Sequence, residues 1–257
     1  MAGAEMNQDD KQVHLYFCLT DQVRDAALLQ RYQSLLTDEE SERMSRLYFT
    51  GHRHQFLLTR ALVRYCLSLH HPVKPGEWRF TANRYGKPQV SHPKIELGTR
   101  FNISHTRGLT ICGVAPGVDI GVDVEDTHRT TQAAFDSLAS YFSEAEIRDL
   151  AALPEDRQKQ RFFDYWTLKE SYIKARGMGL AVPLGKFSFH FKADELDAFR
   201  VDGELRDDAR DWQFWRISMS GHYRIAIALN TRRRGYDVRT FDTVPLIGHD
   251  PAPLNFL

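Results

Sequence analysis

The chain has 257 residues and 42% of them are hydrophobic, which excludes a disordered polypeptide and suits one large or two small cored domains. Lys+Arg and Asp+Glu are equal at 34 each, so net charge offers no case for a nucleic-acid or membrane-surface protein. The three cysteines, Cys18, Cys66 and Cys112, lie far apart in apolar runs; this predicts buried thiols in a reducing cytoplasm, with no disulfide and no zinc site.

Residues 1–12 read as a flexible tail without the apolar stretch of a signal peptide, and nowhere is there a run long enough to span a membrane. HLYFCL, from His14, reads as a strand. Thr37 and Glu40 have the spacing of a helix capping box. His52 to Leu69 reads as a strong helix. WRF and RFNIS read as short strands around a turn-rich segment that holds NRYGKP. LTICGVA and IGVDVE follow, and PGVD between them reads as a hairpin-like turn.

The second half has the same grammar. Helical text runs from about Thr131 to Leu153, with a second capping-box candidate at Ser143 and Glu146. A long helix comes next, then strands KFSFHF, WQFWRIS and YRIAIAL. These elements predict an α+β chain of two similar lobes, residues 13–117 and 118–230, each an antiparallel sheet with packed helices. Residues 231–257 read as a weakly structured extension.

Four stretches could carry chemistry. The first is RFFDYWTLKESYIKARGMGL, Arg161 to Leu180. On a wheel of about 100° per residue, Lys169 falls inside the apolar arc and Glu170 inside its edge, while Asp164, Thr167 and Ser171 fill the opposite face. Charged side chains are rarely buried unless paired or ligating. A Lys-Glu pair usually snorkels, but this placement calls for a partner of both signs, such as a phosphate with a divalent metal. The second stretch is GVDVED. Strand alternation turns Val122 and Val124 toward the core and puts Asp123 and Glu125 together on the other face, where they repel unless a cation intervenes. Oxygen ligands of this kind suit Mg²⁺; a solvent-facing strand end is the ordinary alternative.

The third stretch, FNISHT, ends in Ser104 and His105. Neighbours in a strand point to opposite faces, and the chain has no Gly-x-Ser-x-Gly elbow, so a serine hydrolase is disfavoured. The fourth, NRYGKP, presents Lys87 from a turn and lacks the glycine spacing of a P-loop. Lys174 lies four residues after Glu170, which an ordinary helix ion pair explains equally well.

Taken together and in this order, YGKP, FNISH, GVDVE and WTLKESYIKARGMGL resemble the 4′-phosphopantetheinyl transferases of the larger, two-lobed, Sfp-like group. Gly121, Asp123, Glu125, Trp166, Lys169, Glu170, Ser171 and Lys174 match that family's signature. The resemblance implies a pseudo-dimer of two lobes in one chain with the active site in the cleft between them. It implies transfer of phosphopantetheine from coenzyme A to a serine of an acyl, peptidyl or aryl carrier protein, releasing adenosine 3′,5′-bisphosphate. It also implies that Asp123, Glu125 and Glu170 hold Mg²⁺ or Mn²⁺ against the pyrophosphate, with Glu170 as base for the carrier serine. Lys169 and Lys174 would clamp phosphate oxygens, and Lys174 would assist the leaving group. Lys87, Ser104 and His105 would bind the nucleotide end of coenzyme A, with Arg53, or its rivals Arg46 and Arg60, as a further basic contact.

A cytoplasmic monomer is the accompanying expectation, with no nucleic-acid or membrane partner. The carrier would dock on Thr127 to Leu153, where Tyr141 and Phe142 are contact candidates and core packing is the alternative for each. Two other readings stand beside the transferase: a metal-dependent phosphodiesterase acting on coenzyme A or a nucleotide without a carrier, and a binding module that keeps the fold.

Overall fold

The computed structural model describes residues 11–95, 98–128, 137 and 140–257. These fall into two compact units. The first comprises residues up to Asn83, Pro88–Gly117 and Tyr236–Pro253; the second comprises Arg84–Lys87, Val118–Gly235 and Leu254–Leu257.

The first unit is built on a five-stranded sheet. Its strands are β1 (Gln12–Leu19), β4 (Arg100–Thr106), β5 (Leu109–Ala115), β11 (Asp237–Val244) and β12 (Gly248–Pro251), in the order β12-β11-β1-β5-β4. Every residue of β5 is buried, as expected of an apolar strand with a neighbour on each side. β2 (Arg79–Ala82) and β3 (Pro88–His92) form a separate antiparallel pair. Three helices complete the unit: α1 (Ala26–Gln33), α2 (Asp38–Ser45) and α3 (Thr50–His70). The Thr37–Glu40 capping box opens α2. Along α3, Leu58, Ala61, Leu62 and Cys66 recur at helical spacing and are all buried, giving the apolar stripe that seats the helix in the core.

Three readings of the sequence need correction. Residues 231–257 are not loosely structured, because β11, β12 and β13 (Asn255–Phe256) all lie in sheets. β11 also runs parallel to β1, pairing Tyr16 with Phe241, so this sheet is mixed and not purely antiparallel. A parallel pair needs a long connection, and most of the chain lies between these two strands. PGVD is not a hairpin either: β5 pairs with β1 and β4, whereas the next strand, β6 (Ile120–Asp126), joins the other sheet.

The second unit has a four-stranded antiparallel sheet, ordered β13-β9-β10-β6, with β9 at Trp212–Met219 and β10 at Tyr223–Asn230. β7 (Phe187–Lys192) and β8 (Glu195–Val201) form a second antiparallel pair. Its helices are α4 (Glu144–Ala152), opened by the Ser143–Glu146 capping box, and α5 (Glu155–Arg176). Of the helical text expected from Thr131, residues 131–136, 138 and 139 lie outside the described residues. The core joins Phe162, Phe163, Tyr165, Leu168, Tyr172 and Ile173 of α5 to Phe187, Phe189, Ala226 and Ala228.

α5 has no wet face over this stretch. Asp164, Thr167 and Ser171, expected to face water, are at most 6% exposed. Asp164 lies against Arg216 at 2.9 Å and Arg224 at 3.7 Å, while the hydroxyls of Thr167 and Ser171 donate to carbonyls of the preceding turn. Pairing makes this burial tolerable. All three cysteines are free and buried, as expected. Among the described residues no helix is long and apolar enough to cross a membrane.

Candidate active site

Gly121 sets the distance between β6 and α5. A Cβ at this position would lie 1.9 Å from the Ser171 carbonyl oxygen and 2.4 Å from the Ala175 nitrogen. Only a residue without a side chain permits that approach. The strand's pleat then places Asp123 and Glu125 on the face of Gly121, which is the face toward the helix. Ala226 and Ala228 of β10 stand opposite Asp123 and Gly121 and belong to the same helix-facing core. Asp123 and Glu125 do share a face, as the alternation predicts. That face is covered by α5, however, and is not the exposed side of the sheet.

From α5, Trp166, Glu170 and Lys174 project along one edge at helical spacing. The Lys174 ammonium lies 2.6 Å from Asp123 Oδ1. Trp166 Nε1 donates to Glu125 Oε1 at 3.1 Å. Asp123 is 3% exposed, whereas Glu125 and Glu170 are half-buried. Burial, followed by the charge of Asp123, pushes the Glu125 carboxyl up to about 7, and Glu170 adds a smaller repulsion. The Glu170 carboxyl is raised as well, first by burial and then by Asp123, with Lys174 opposing. The three carboxylates are therefore electrostatic neighbours. Oxygen-only donors in mutual repulsion have the chemistry of a hard-cation site. Among the described residues, no three His, Cys, Asp or Glu side chains form a ready-made metal cluster. In place of the expected convergence of all three carboxylates on one point, the structure shows a looser group in which the Lys174 ammonium contacts Asp123. Such a group still fits Mg²⁺, which commonly binds through one or two carboxylates and completes its shell with water and phosphate oxygens.

Lys169 does not belong to this group, and its expected role as a phosphate clamp is overturned. Its side chain is fully buried and donates to the carbonyls of Leu184 at 2.8 Å and Phe187 at 2.7 Å. Glu146 Oε2, also fully buried, lies 2.8 Å away. Three partners fill the three donors of an ammonium. The apolar arc around Lys169 is real, and the partner within it is an internal carboxylate and not a ligand.

The other predicted residues fall in both units. Lys87 belongs to the second unit and not, as its place in the sequence suggested, to the first. Its ammonium donates to Ala175 O at 2.8 Å and Ile120 O at 3.3 Å, tying the end of α5 to the start of β6. Ser104 and His105 are in the first unit; Ser104 is buried and His105 exposed, as expected of neighbours in a strand. Arg53 donates to Leu47 O at 3.3 Å. Of its rivals, Arg46 pairs with Glu42, and Arg60 lies 3.4 Å from Glu40 with its guanidinium over Phe56. Of the carrier-contact candidates, Tyr141 is 63% exposed, whereas Phe142 is buried and stacks on Phe162.

The sequence reading did not identify Glu146 as the partner of Lys169. Its visible signal was the capping box alone, yet this carboxylate serves three functions: it caps α4, accepts from Phe189 N at 3.0 Å and pairs with Lys169. The hydrogen bond from Trp166 to Glu125 was also unforeseen, although both residues lie in the motif.

Comparison with known proteins agrees with the motif. The family model for the 4′-phosphopantetheinyl transferase superfamily matches residues 119–228, the span that holds Asp123, Glu125, Glu170 and Lys174. The 4′-phosphopantetheinyl transferase HetI of Nostoc sp. is 36% identical over 171 residues, covering 66% of this chain and 70% of that protein. The Sfp transferase of Bacillus subtilis is 33% identical over 165 residues, covering 64% and 70%. The L-aminoadipate-semialdehyde dehydrogenase-phosphopantetheinyl transferase of Rattus norvegicus is 24% identical over 203 residues, covering 74% and 66%. With the signature carboxylates and lysine brought together on β6 and α5, and with relatives of this similarity along most of their length, the chain belongs to the 4′-phosphopantetheinyl transferase family.

Proposed function

We propose that the protein transfers 4′-phosphopantetheine from coenzyme A to a serine hydroxyl of an apo acyl, peptidyl or aryl carrier protein, releasing adenosine 3′,5′-bisphosphate. The observation that carries this reading is the 2.6 Å Asp123–Lys174 pair, with Glu125 and Glu170 beside it, on two elements held in close approach by Gly121. Asp123, Glu125 and Glu170 would hold Mg²⁺ or Mn²⁺. A divalent ion bound there offsets the negative charge that develops on the departing phosphate. Lys174 supplies a positive charge from the protein to the same oxygens and exchanges part of its contact with Asp123 for the phosphate. Glu170 accepts the proton of the carrier serine, a poor nucleophile until that proton leaves. Trp166 keeps Glu125 oriented through its indole N–H. Arg53, Lys87, Ser104 and His105 are the proposed contacts for the nucleotide end of coenzyme A.

Incubation with coenzyme A, Mg²⁺ and a panel of apo carrier proteins, followed by mass spectrometry of the carriers, tests the proposal. One phosphopantetheine added per carrier is the expected result. Hydrolysis of coenzyme A with every carrier left unmodified would instead indicate the phosphodiesterase reading.

A further inference from the structure

The first unit contains a second group of side chains of types that can ligate a metal, distinct from the carboxylates. His14 and Tyr16 lie two residues apart on β1 and therefore on the same face of the sheet. His70 is the last residue of α3. His14 Nδ1 and His70 Nε2 are 3.3 Å apart, Tyr16 Oη is 3.0 Å from His70 Nε2, and the same oxygen is 3.3 Å from His14 Nδ1. The three donor atoms form a nearly equilateral triangle. A tetrahedral ion about 2.0–2.1 Å from each nitrogen or oxygen ligand sets its ligands roughly 3.3–3.4 Å apart, close to these separations.

We infer that His14 Nδ1, His70 Nε2 and Tyr16 Oη form a three-donor site for a divalent transition-metal ion of the zinc, cobalt or copper class. Imidazole nitrogens favour this class over Mg²⁺ or Ca²⁺, which take oxygen ligands. The metal would fasten the first strand to the C-terminal end of the longest helix of its unit.

Surrounding groups orient and enclose the imidazoles. His14 Nε2 lies 3.4 Å from Gln12 Oε1. A carbonyl oxygen only accepts; in the tautomer that donates to it from Nε2, Nδ1 presents its lone pair to the triangle. Outer partners of this type orient metal-binding imidazoles. Phe241 walls the site, stacking on Tyr16 at 5.1 Å and meeting His14 edge-on at 5.4 Å. His249 is turned to another partner, with its Nδ1 3.2 Å from Tyr65 Oη. The third donor is a phenol, so the triangle is consistent with the absence, among the described residues, of a cluster of three His, Cys, Asp or Glu ligands.

Titration of tag-free, chelator-treated protein with Co²⁺ tests the site by visible d–d absorption, and Cu²⁺ with electron paramagnetic resonance counts nitrogen ligands. One equivalent with tetrahedral-type absorption and two imidazole nitrogens is the expected result, and it should persist in Asp123→Asn, which perturbs only the carboxylate group. His70→Gln and His14→Gln should each weaken binding by roughly 100-fold or more, since even outer-shell partners are worth about 10–100-fold. Wild-type protein that binds neither ion outside the carboxylates holds a purely hydrogen-bonded triad, and that result overturns the inference. Nitrogen ligation unchanged in both histidine variants overturns it as well.

Discussion

Lys169 and Glu146 meet at 2.8 Å with both side chains fully withdrawn from solvent. One is a signature residue of the family motif and the other caps a helix. Removing either leaves the other as a buried charge, which typically costs about 3–5 kcal/mol. Lys169→Met and Glu146→Leu should each lower unfolding free energy by that order in denaturant titrations. The double variant should recover most of the loss, because two apolar groups of similar volume replace a satisfied pair. Lys169→Met protein that remains folded should transfer phosphopantetheine at near wild-type kcat. A selective collapse of kcat without loss of stability would restore Lys169 to the reacting centre.

Gly121→Ala tests the strand–helix approach. Its methyl would meet main-chain atoms of Ser171 and Ala175, which cannot rotate away. Overpacking of this kind costs about 1–3 kcal/mol or more. Thermal unfolding should show the loss, and turnover should fall with it, because Asp123 and Lys174 depend on the same spacing.

Lys87→Met removes two charge-assisted hydrogen bonds to carbonyls, each worth about 1.5–3 kcal/mol. Stability should fall by roughly 3–6 kcal/mol. Isothermal titration with coenzyme A on the folded fraction separates this anchoring from the proposed nucleotide contact: an unchanged Kd leaves anchoring as its sole role, and a weakened Kd gives it both.

His70 predicts a pH dependence. Its folded pKa, about 4, lies below the ordinary histidine value of about 6.5 because burial and His14, His71 and His249 disfavour the charged ring. In that window the unfolded chain binds the extra proton. The contribution is therefore fully present above about pH 6.5 and is lost as pH falls toward 4, by up to about 3 kcal/mol. The difference in Tm between wild type and His70→Gln should shrink over that range; a constant difference would contradict the assignment.

Much of this architecture was legible in the sequence. Strands such as LTICGVA and YRIAIALN are apolar runs of the right length, and both capping boxes stand where Thr37–Glu40 and Ser143–Glu146 suggested. β11 was hidden because Arg239 and Asp242 interrupt its alternation, and its partner β1 lies at the other end of the chain. At the site, strand alternation gave the shared face of Asp123 and Glu125, a local rule, and the family resemblance added Glu170 and Lys174; the structure sets Lys174 2.6 Å from Asp123. A second local rule erred on Lys169. A helical wheel shows that a charge lies in an apolar arc but not whether its partner is a ligand or a carboxylate twenty-three residues earlier.

The central claim is that Asp123, Glu125, Glu170 and Lys174 drive transfer to a carrier serine. Its most direct test is mass spectrometry of an apo carrier protein incubated with coenzyme A, Mg²⁺ and either wild type or Asp123→Asn, with folding of the variant verified by circular dichroism. The account predicts full loading by wild type and a rate at least about 100-fold lower for the variant. Equal loading by the two proteins, or a carrier left unmodified by wild type, would contradict it.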